Sequence, residues 1–392
     1  MQQPNREGRT RLLVLGHEAS RTGSPIVLRS VVRWLAAHTD WHIDVAFRTG
    51  GELLNDFRPL AASVRDLNFD EHLFHTGWSE TLAHIVQLDQ FAGPVRERRL
   101  ERHRASAKGY DLVYVNSAPA LLALAASTVD VPVVLHVHEL RNTLELALPG
   151  PYFNLLTTVP VAYIAGSAPV KNHLVEGLGI SADAVTVIDE FIDDDRAGAN
   201  EQSPADPPIV LGCGTTGWRK GTDLFLQAAV ASKHLRPTSD ETWVWVGGNG
   251  TNATDVTFAE EVRLAGASDR VRIVPETPDL MPWFAKAAVF ALTSREDPFP
   301  LVALHAAMHR RPIVCFADTG GVPGLVGEDA GMVVPYSDTY AMAEAVGALL
   351  QDSEDAHSRG IRAYEKMASN HLTDEAVPKI FDVLEHALRA RS

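Results

Sequence analysis

The stretch Ser294-Arg295-Glu296-Asp297-Pro298-Phe299-Pro300-Leu301-Val302 follows an apolar run, Val289–Thr293, and leads into another, Leu301–Met308. The spacing predicts a buried strand, a turn with two carboxylates, and a helix that starts at Pro298–Pro300. Prolines in a first helical turn cost no hydrogen bond, because those N–H groups lack an intrahelical partner. The N–H groups of Phe299, Leu301 and Val302 can then meet phosphate oxygens, while Glu296 and Asp297 accept sugar hydroxyls. The bland alternative is a helix start with no ligand.

The same strand–turn–helix unit recurs on both sides. Strand patterns are Arg11–Gly16, Ile43–Phe47, Leu112–Asn116, Val131–Val137, Ala162–Ala165 and Val185–Ile188, with a helical pattern at Pro25–Ala37. After a polar, Pro- and Ala-rich interval they resume at Ile209–Cys213, Trp243–Val246, Val271–Val274, Val289–Thr293, Ile313–Phe316 and Met332–Val334. Helical patterns there are Asp223–Lys233, Leu280–Ala288, Leu301–Met308 and Ala341–Leu350. This alternation predicts an α/β chain with parallel sheets covered by helices. The expected division is a Rossmann-like domain over 1–193, a linker over 194–208, a second Rossmann-like domain over 209–372, and a C-terminal helix over 373–392. Thr373 is its candidate N-cap, and Val377, Ile380, Phe381, Leu384 and Leu388 form its apolar stripe. Ligands bind at the carboxyl ends of parallel strands, so chemistry is expected in the strand-to-helix loops.

Composition narrows the classes. The chain has 392 residues, 45% hydrophobic and 22% charged, with a net charge of −15. So acidic a chain is a poor nonspecific nucleic-acid binder. Its two cysteines, Cys213 and Cys315, lie in apolar strand patterns and argue against a disulfide framework. No apolar run approaches the roughly 18–20 residues of a membrane span. The polar N-terminus lacks a signal-peptide pattern, so the expected location is the cytoplasm. Arginine outnumbers lysine, which fits a bacterial source. The basic run Arg96–Arg104 reads as a solvated helix face, with a peripheral membrane contact as the alternative. Nothing indicates the oligomeric state.

Four further loops carry candidate chemistry. In His17–Pro25, Gly23 allows close backbone approach and Ser24 can cap the following helix, which suits a phosphate. There is no G-x-G-x-x-G, which weakens a dehydrogenase reading. In Leu135–Leu140, His136 and His138 share a face. One of them at a strand end can contact a substrate oxygen; packed histidines are the alternative, and no third metal ligand is evident. In Gly212–Gly221, glycines, hydroxyl groups and the cations Arg219 and Lys220 suit a diphosphate, although the spacing is not a Walker loop. Asp318–Gly324 offers close backbone approach or a plain turn.

Together these loops resemble glycosyltransferase family 4, the retaining group with the GT-B fold. Its second domain reads S-x-x-E-G-F-G-x-x-x-L-E-A, then P-V-I or P-V-V, then G-G-x-P-E. Here the matching residues are Ser294–Ala306, Pro312-Ile313-Val314 and Gly320–Gly324. The R-E-D-P-F-P-L-V wording looks like a variant branch. Trp218–Gly221 looks like the diphosphate loop, Thr22–Pro25 like the N-terminal glycine loop, and His138-Glu139 like the H-D or H-E pair. Val187–Asp193 looks like the family's V-I-P-N-G-V-D.

The resemblance implies two facing Rossmann-like domains and a C-terminal helix that crosses back to the first. It implies a nucleotide-sugar donor, UDP- or GDP-linked, and a hydroxyl acceptor, with no cofactor and no metal. Arg219 and Lys220 would neutralise the diphosphate, Phe299–Val302 with Pro300 would bind its terminal phosphate, and Asp297 would hold donor-sugar hydroxyls. His138 would contact the sugar near the reacting carbon. Acceptor contacts would come from the first domain, including Gly77–Lys108. Three positions depart from the pattern. His305 replaces the ribose-gripping acid and can still bond a hydroxyl, Thr215 replaces an arginine, and Gly324 a glutamate. They keep open the reading of a degenerate GT-B protein that binds without turnover. A sugar-nucleotide epimerase would need further carboxylates that the sequence does not show.

Overall fold

Apolar β-branched runs short enough for strands and separated by amphipathic stretches can bury both sheet faces only under helices. A computed structural model of the chain describes residues 8–68, 104–125, 129–148, 150–195, 204–248, 250 and 253–390. The basic run 96–104 and the region 77–108 lie outside these residues, apart from 104–108. The chain divides into two units. The first comprises Met1–Gly166, Val170–Ile188 and Val377–Ser392; the second comprises Ser167–Pro169 and Asp189–Ala376.

The first unit holds a seven-stranded sheet in the order β3-β2-β1-β4-β5-β6-β7. Its strands are β1 (Arg11–Glu18), β2 (His42–Thr49), β3 (Ser63–Asp66), β4 (Leu112–Asn116), β5 (Val133–Val137), β6 (Ala162–Ala165) and β7 (Val185–Val187). All neighbours are parallel. The order reverses between β1 and β4, so the loops leaving these strands open a switch-point crevice. Leu13, Leu15, Val113, Val115, Val133 and Leu135 are fully buried in the core. Helix α1 (Gly23–His38) covers the sheet with Val27, Leu28, Val31, Val32 and Leu35. It starts earlier than its apolar period indicated, with Thr22 at the N-cap and no side-chain cap. Ser24 therefore lies inside the first turn and does not cap it.

The second unit holds a six-stranded sheet in the order β10-β9-β8-β11-β12-β13. The strands are β8 (Ile209–Cys213), β9 (Thr242–Val246), β10 (Val271–Val274), β11 (Ala287–Leu292), β12 (Ile313–Phe316) and β13 (Gly331–Val334). All pairs are again parallel. Helices α2 (Thr222–Leu235), α3 (Leu301–Met308), α4 (Thr339–Gln351) and α5 (Ser353–Asn370) cover it. One face packs Phe225 edge-on against Trp243 and Trp245, with ring centroids 5.2 Å apart in both pairs. The two tryptophans alternate onto the same side of β9. The other face packs Phe290, Leu304, Ala307 and Met367.

Further details differ from the sequence reading. The helix expected over Leu280–Ala288 spans Met281–Lys286, and Ala287 and Ala288 open β11 instead. Helix α3 begins at Leu301, because Pro300 is the N-cap in extended backbone with φ −66° and ψ 126°. Pro298 therefore belongs to the turn. Helix α5 has no counterpart in the apolar patterns: only Gly360, Ala363 and Met367 are buried along it. Its start is set by Asp352, which accepts from the Asp355 N–H at 2.9 Å. The last helix, α6 (Thr373–Arg389), returns to the first unit, where Phe381 meets Trp34 and Trp41 at 5.9 and 5.3 Å. Both cysteines are buried free thiols, each pushed up to about 12 by burial.

Candidate active site

In the second unit, the loops after β8 and β11 are clasped. Gly221 caps α2 with φ +67°, and a Cβ there would stand 2.0 Å from the Thr293 carbonyl oxygen. Only glycine allows this approach. Thr293 Oγ1 donates to the Gly221 carbonyl at 3.0 Å, and the Arg295 N–H donates to the Arg219 carbonyl at 2.8 Å. The clasp brings Lys220 to Asp297. Lys220 Nζ donates to Asp297 Oδ2, Arg219 Nη1 lies 3.3 Å from Oδ1, and Ser294 Oγ donates to Oδ2 at 3.2 Å.

Asp297 is almost fully buried. Burial pushes its carboxyl up, but Lys220, Arg219 and the hydrogen bonds outweigh that and hold it below the ordinary carboxylate value. Burial pulls the Lys220 ammonium down, with Asp297 opposing. The pair sits at the carboxyl ends of the neighbouring strands β8 and β11.

Behind Asp297 stands the loop after β12. The Asp297 N–H donates to the Thr319 carbonyl at 2.8 Å. Gly320, at φ +147°, leaves only 1.7 Å between a hypothetical Cβ and the Asp297 carbonyl oxygen. Gly320→Ala is therefore expected to displace Asp297 and to cost about 1–3 kcal/mol of stability. A urea titration checks it: an unchanged midpoint would refute the close approach.

The remaining expected residues divide. Leu301 and Val302 open α3, and with Phe299 their N–H groups make no backbone hydrogen bond among the described residues. The Phe299 side chain is buried, its ring 4.8 Å from that of His371, so only its backbone is on offer. Glu296 is buried, and its carbonyl accepts from Arg219 at 3.4 Å. His305 sits beside Phe284, ring centroids 5.9 Å apart, and burial lowers it to about 4. Its buried Nδ1 finds no partner among the described residues.

In the first unit, the candidate residues join through Asn116, which ends β4. Asn116 Nδ2 donates to Ser24 Oγ at 2.7 Å and to the Ser24 carbonyl at 3.1 Å. A carbonyl only accepts, so the amide nitrogen must face Ser24 and Oδ1 must face His138. His138 Nε2, 2.9 Å from Oδ1, therefore carries a proton. His136 is different: it is fully buried, its Nδ1 lies 2.7 Å from the Tyr114 hydroxyl, and burial followed by the nearby His138 keeps it well below its ordinary value. It is the packed histidine of the two. Glu139 accepts from the Ser117 hydroxyl, the Ala118 N–H at 3.2 Å and the His138 N–H at 3.0 Å. It thereby braces Ser117, whose φ is +82°.

Sequence reasoning missed Asn116. Its signal was a lone amide closing the apolar strand LVYVN at the point where strand order reverses.

The Gly23–Ser24 turn is preceded by Glu18. Its carboxylate is held at about 2, first by the His17 imidazole 3.6 Å away, with burial opposing and Ser20 and Thr22 donating at 2.6 and 2.9 Å. A depressed folded value contributes stability above the ordinary 4.5 and loses it as pH falls toward 2. Glu18→Gln is thus expected to be less stable than the parent at neutral pH, with the difference closing in acid. Urea midpoints at both pH values test this; a constant difference would contradict it.

Two parallel-sheet Rossmann-like units, with cations and a carboxylate at the strand ends of the second, define a GT-B glycosyltransferase. Family models agree: Glycosyltransferase Family 4 matches residues 22–196, and Glycosyl transferases group 1 matches residues 207–352. The two halves of the chain thus match glycosyltransferase models, and the chain is a glycosyltransferase of the GT-B type and an enzyme. It is 29% identical to a D-inositol 3-phosphate glycosyltransferase of Xylanimonas cellulosilytica, over 75% of this chain and 76% of that protein. It is 31% identical to the lipopolysaccharide core biosynthesis mannosyltransferase LpcC of Rhizobium leguminosarum bv. viciae, over 44% of this chain and 49% of that protein. The crystal structure of HepE from Anabaena in complex with UDP-glucose shares the fold, with a TM-score of 0.73 at 18% identity over 96% of this chain and 100% of that one. No helix among the described residues is long and apolar enough to cross a membrane.

Proposed function

We propose that the enzyme transfers a sugar from a nucleotide-sugar donor, UDP- or GDP-linked, to a hydroxyl acceptor with retention of configuration. The observation that carries this is the Arg219–Lys220–Asp297 cluster beside the open N–H groups of α3. Two cations and a helix start suit a diphosphate, and a buried carboxylate suits sugar hydroxyls. Phosphate oxygens would compete with Asp297 for Lys220 and Arg219. That would free Asp297 oxygens for the sugar. The names of the relatives and the UDP-glucose complex of HepE support the donor class.

In the proposed step the bond from the anomeric carbon to the diphosphate breaks as the acceptor oxygen attacks from the same face. The acceptor proton passes to the leaving phosphate oxygen. Lys220, Arg219 and the α3 N–H groups take up the charge developing there, so the protein itself supplies the neutralisation and no metal is required. His138 contacts the sugar, with Asn116 fixing its tautomer, and His305 bonds a ribose hydroxyl. The Gly23–Ser24 turn offers backbone to a phosphate. Purified protein should turn over one donor of a UDP-, GDP- and dTDP-sugar panel, and Lys220→Ala and Asp297→Ala should strongly reduce it. A nucleotide-induced rise in melting temperature without turnover of any donor would instead favour a binding protein.

Asn116 acts through His138. Asn116→Ala should lower kcat about five- to tenfold, the scale of one hydrogen bond. Added to His138→Ala it should lower kcat no further. Full additivity in that double variant would disprove the coupling.

A further inference from the structure

Trp218, Tyr336 and Tyr340 are exposed to 58%, 48% and 52%, which sets them apart from the buried aromatics of the second unit. Trp218 follows β8, Tyr336 follows β13, and Tyr340 lies in the first turn of α4. All three stand at the carboxyl end of the second sheet. Arg295, which follows β11, packs on Trp218. The Arg295 guanidinium lies over the Trp218 ring, 5.6 Å from its centroid, and donates to the Trp218 carbonyl at 2.9 Å. It grips both Asp223 oxygens, at 2.8 and 2.6 Å, and is within electrostatic reach of the Tyr336 hydroxyl.

This arrangement holds an indole open. Arg295 covers one face and is fixed by three bonds, so the exposed area belongs to the other face and the edges. The charge of Arg295 is committed to Asp223, so the patch offers little to an anion. Asp223 adds a carboxylate at its rim, which disfavours anionic lipid or nucleic acid. What fits is a neutral molecule with one apolar face and polar edges. A pyranose ring meets that description: its C–H face stacks on an aromatic ring, and its hydroxyls reach the carboxylate at the rim.

We propose that Trp218 and Tyr336 form a binding platform for a neutral saccharide chain. Trp218 is two residues from Lys220, so the platform lies within about 7 Å of the lysine along the backbone. A sugar stacked there is one or two units from the proposed diphosphate site. The inference therefore rests on the glycosyl-transfer reading and deepens it: the acceptor or product is an oligosaccharide.

The test is saturation-transfer NMR on the full chain with maltotetraose, cellotetraose and α-mannotetraose as probes. At least one probe should receive saturation at its ring C–H protons. Trp218→Ala should weaken its Kd about tenfold, Tyr336→Ala should weaken it as well, and Trp218→Phe should retain binding. The thermal shift produced by UDP or GDP should be unchanged in Tyr336→Ala. Absence of transfer to all three probes, or transfer that survives Trp218→Ala, would overturn the platform. A nucleotide shift lost in Trp218→Ala would assign the indole to the nucleotide. Self-association dissolved by the same substitution would assign it to a second copy. Saccharide binding without transfer from any donor would sink the proposed reaction and leave the platform standing.

Discussion

Lys220→Ala is expected to lower kcat for sugar transfer by roughly 10²–10³-fold, the scale seen when one preorganised charge-stabilising donor is removed. Lys220 is the more buried of the two cations on Asp297, with 13% of its side chain exposed against 40% for Arg219. Water cannot replace an ammonium at such a position, and Arg219 alone is more strongly screened. The same substitution leaves Asp297 buried with one cation fewer, so a stability loss of about 1–3 kcal/mol should accompany the kinetic one. Lys220→Arg separates the two effects: it keeps the charge and much of the stability, but a planar fork cannot reproduce the ammonium geometry. Asp297→Asn gives an independent reading. Without the carboxylate that opposes it, burial pulls the Lys220 value lower still, so the alkaline limb of the activity profile should move to lower pH. Donor-turnover assays across pH, with melting curves of each variant, check these outcomes. Wild-type kcat in Lys220→Ala would remove the cluster from the reaction.

Glu241→Ala should have the largest effect on stability. Glu241 precedes β9 with none of its side chain exposed. Arg270 reaches it at 2.9 Å and Arg236 at 3.4 Å, Ser232 donates at 2.5 Å, and Ser239 donates as well. Burial alone would raise this carboxyl, yet the four partners hold it below its ordinary value. Arg236 also reaches the Ala343 carbonyl at 3.1 Å and fills the space beside Gly347, so the network ties α2 and β9 to α4. Deleting the carboxylate strands two guanidinium groups in a low-dielectric site. The expected cost is about 3–5 kcal/mol, a fall of about 6–20 °C in the melting temperature of that unit. Calorimetry measures it directly. Glu241 is not part of the donor cluster, so kcat below the transition should match the parent. A shift under about 2 °C would show that the buried charges find other partners.

Much of the fold was legible because buried parallel strands are apolar along their whole length. Leu112–Asn116, Ala162–Ala165, Ile209–Cys213, Val271–Val274 and Ile313–Phe316 are strands with the bounds their sequence indicates. β3 was not legible: SVRD pairs along a single edge and is only partly buried. α5 was not read either, although Ile361, Ala363, Tyr364 and Met367 fall at helical spacing: the stripe is narrow and charged residues surround it. In α1 the first turn carries Gly23 and Ser24, so the apolar period begins after the helix does.

The sequence by itself determined two βα arrays, the residue types at their strand ends and the turns that present them. Lys220 and Asp297 could be named because cations beside glycines suit a diphosphate, carboxylates before a proline-led helix suit sugar hydroxyls, and the family resemblance implies both roles. That the two touch was decided by tertiary structure. They lie 77 residues apart, and their meeting depends on Gly221 resting on the end of β11 and Gly320 resting on Asp297. Asn116 is the same case: only packing of β4 between β1 and β5 sets its amide between Ser24 and His138. Local sequence specifies hydrogen bonds a few residues away. Partners brought together by strand order depend on the whole sheet, and a single chain read residue by residue does not contain that geometry.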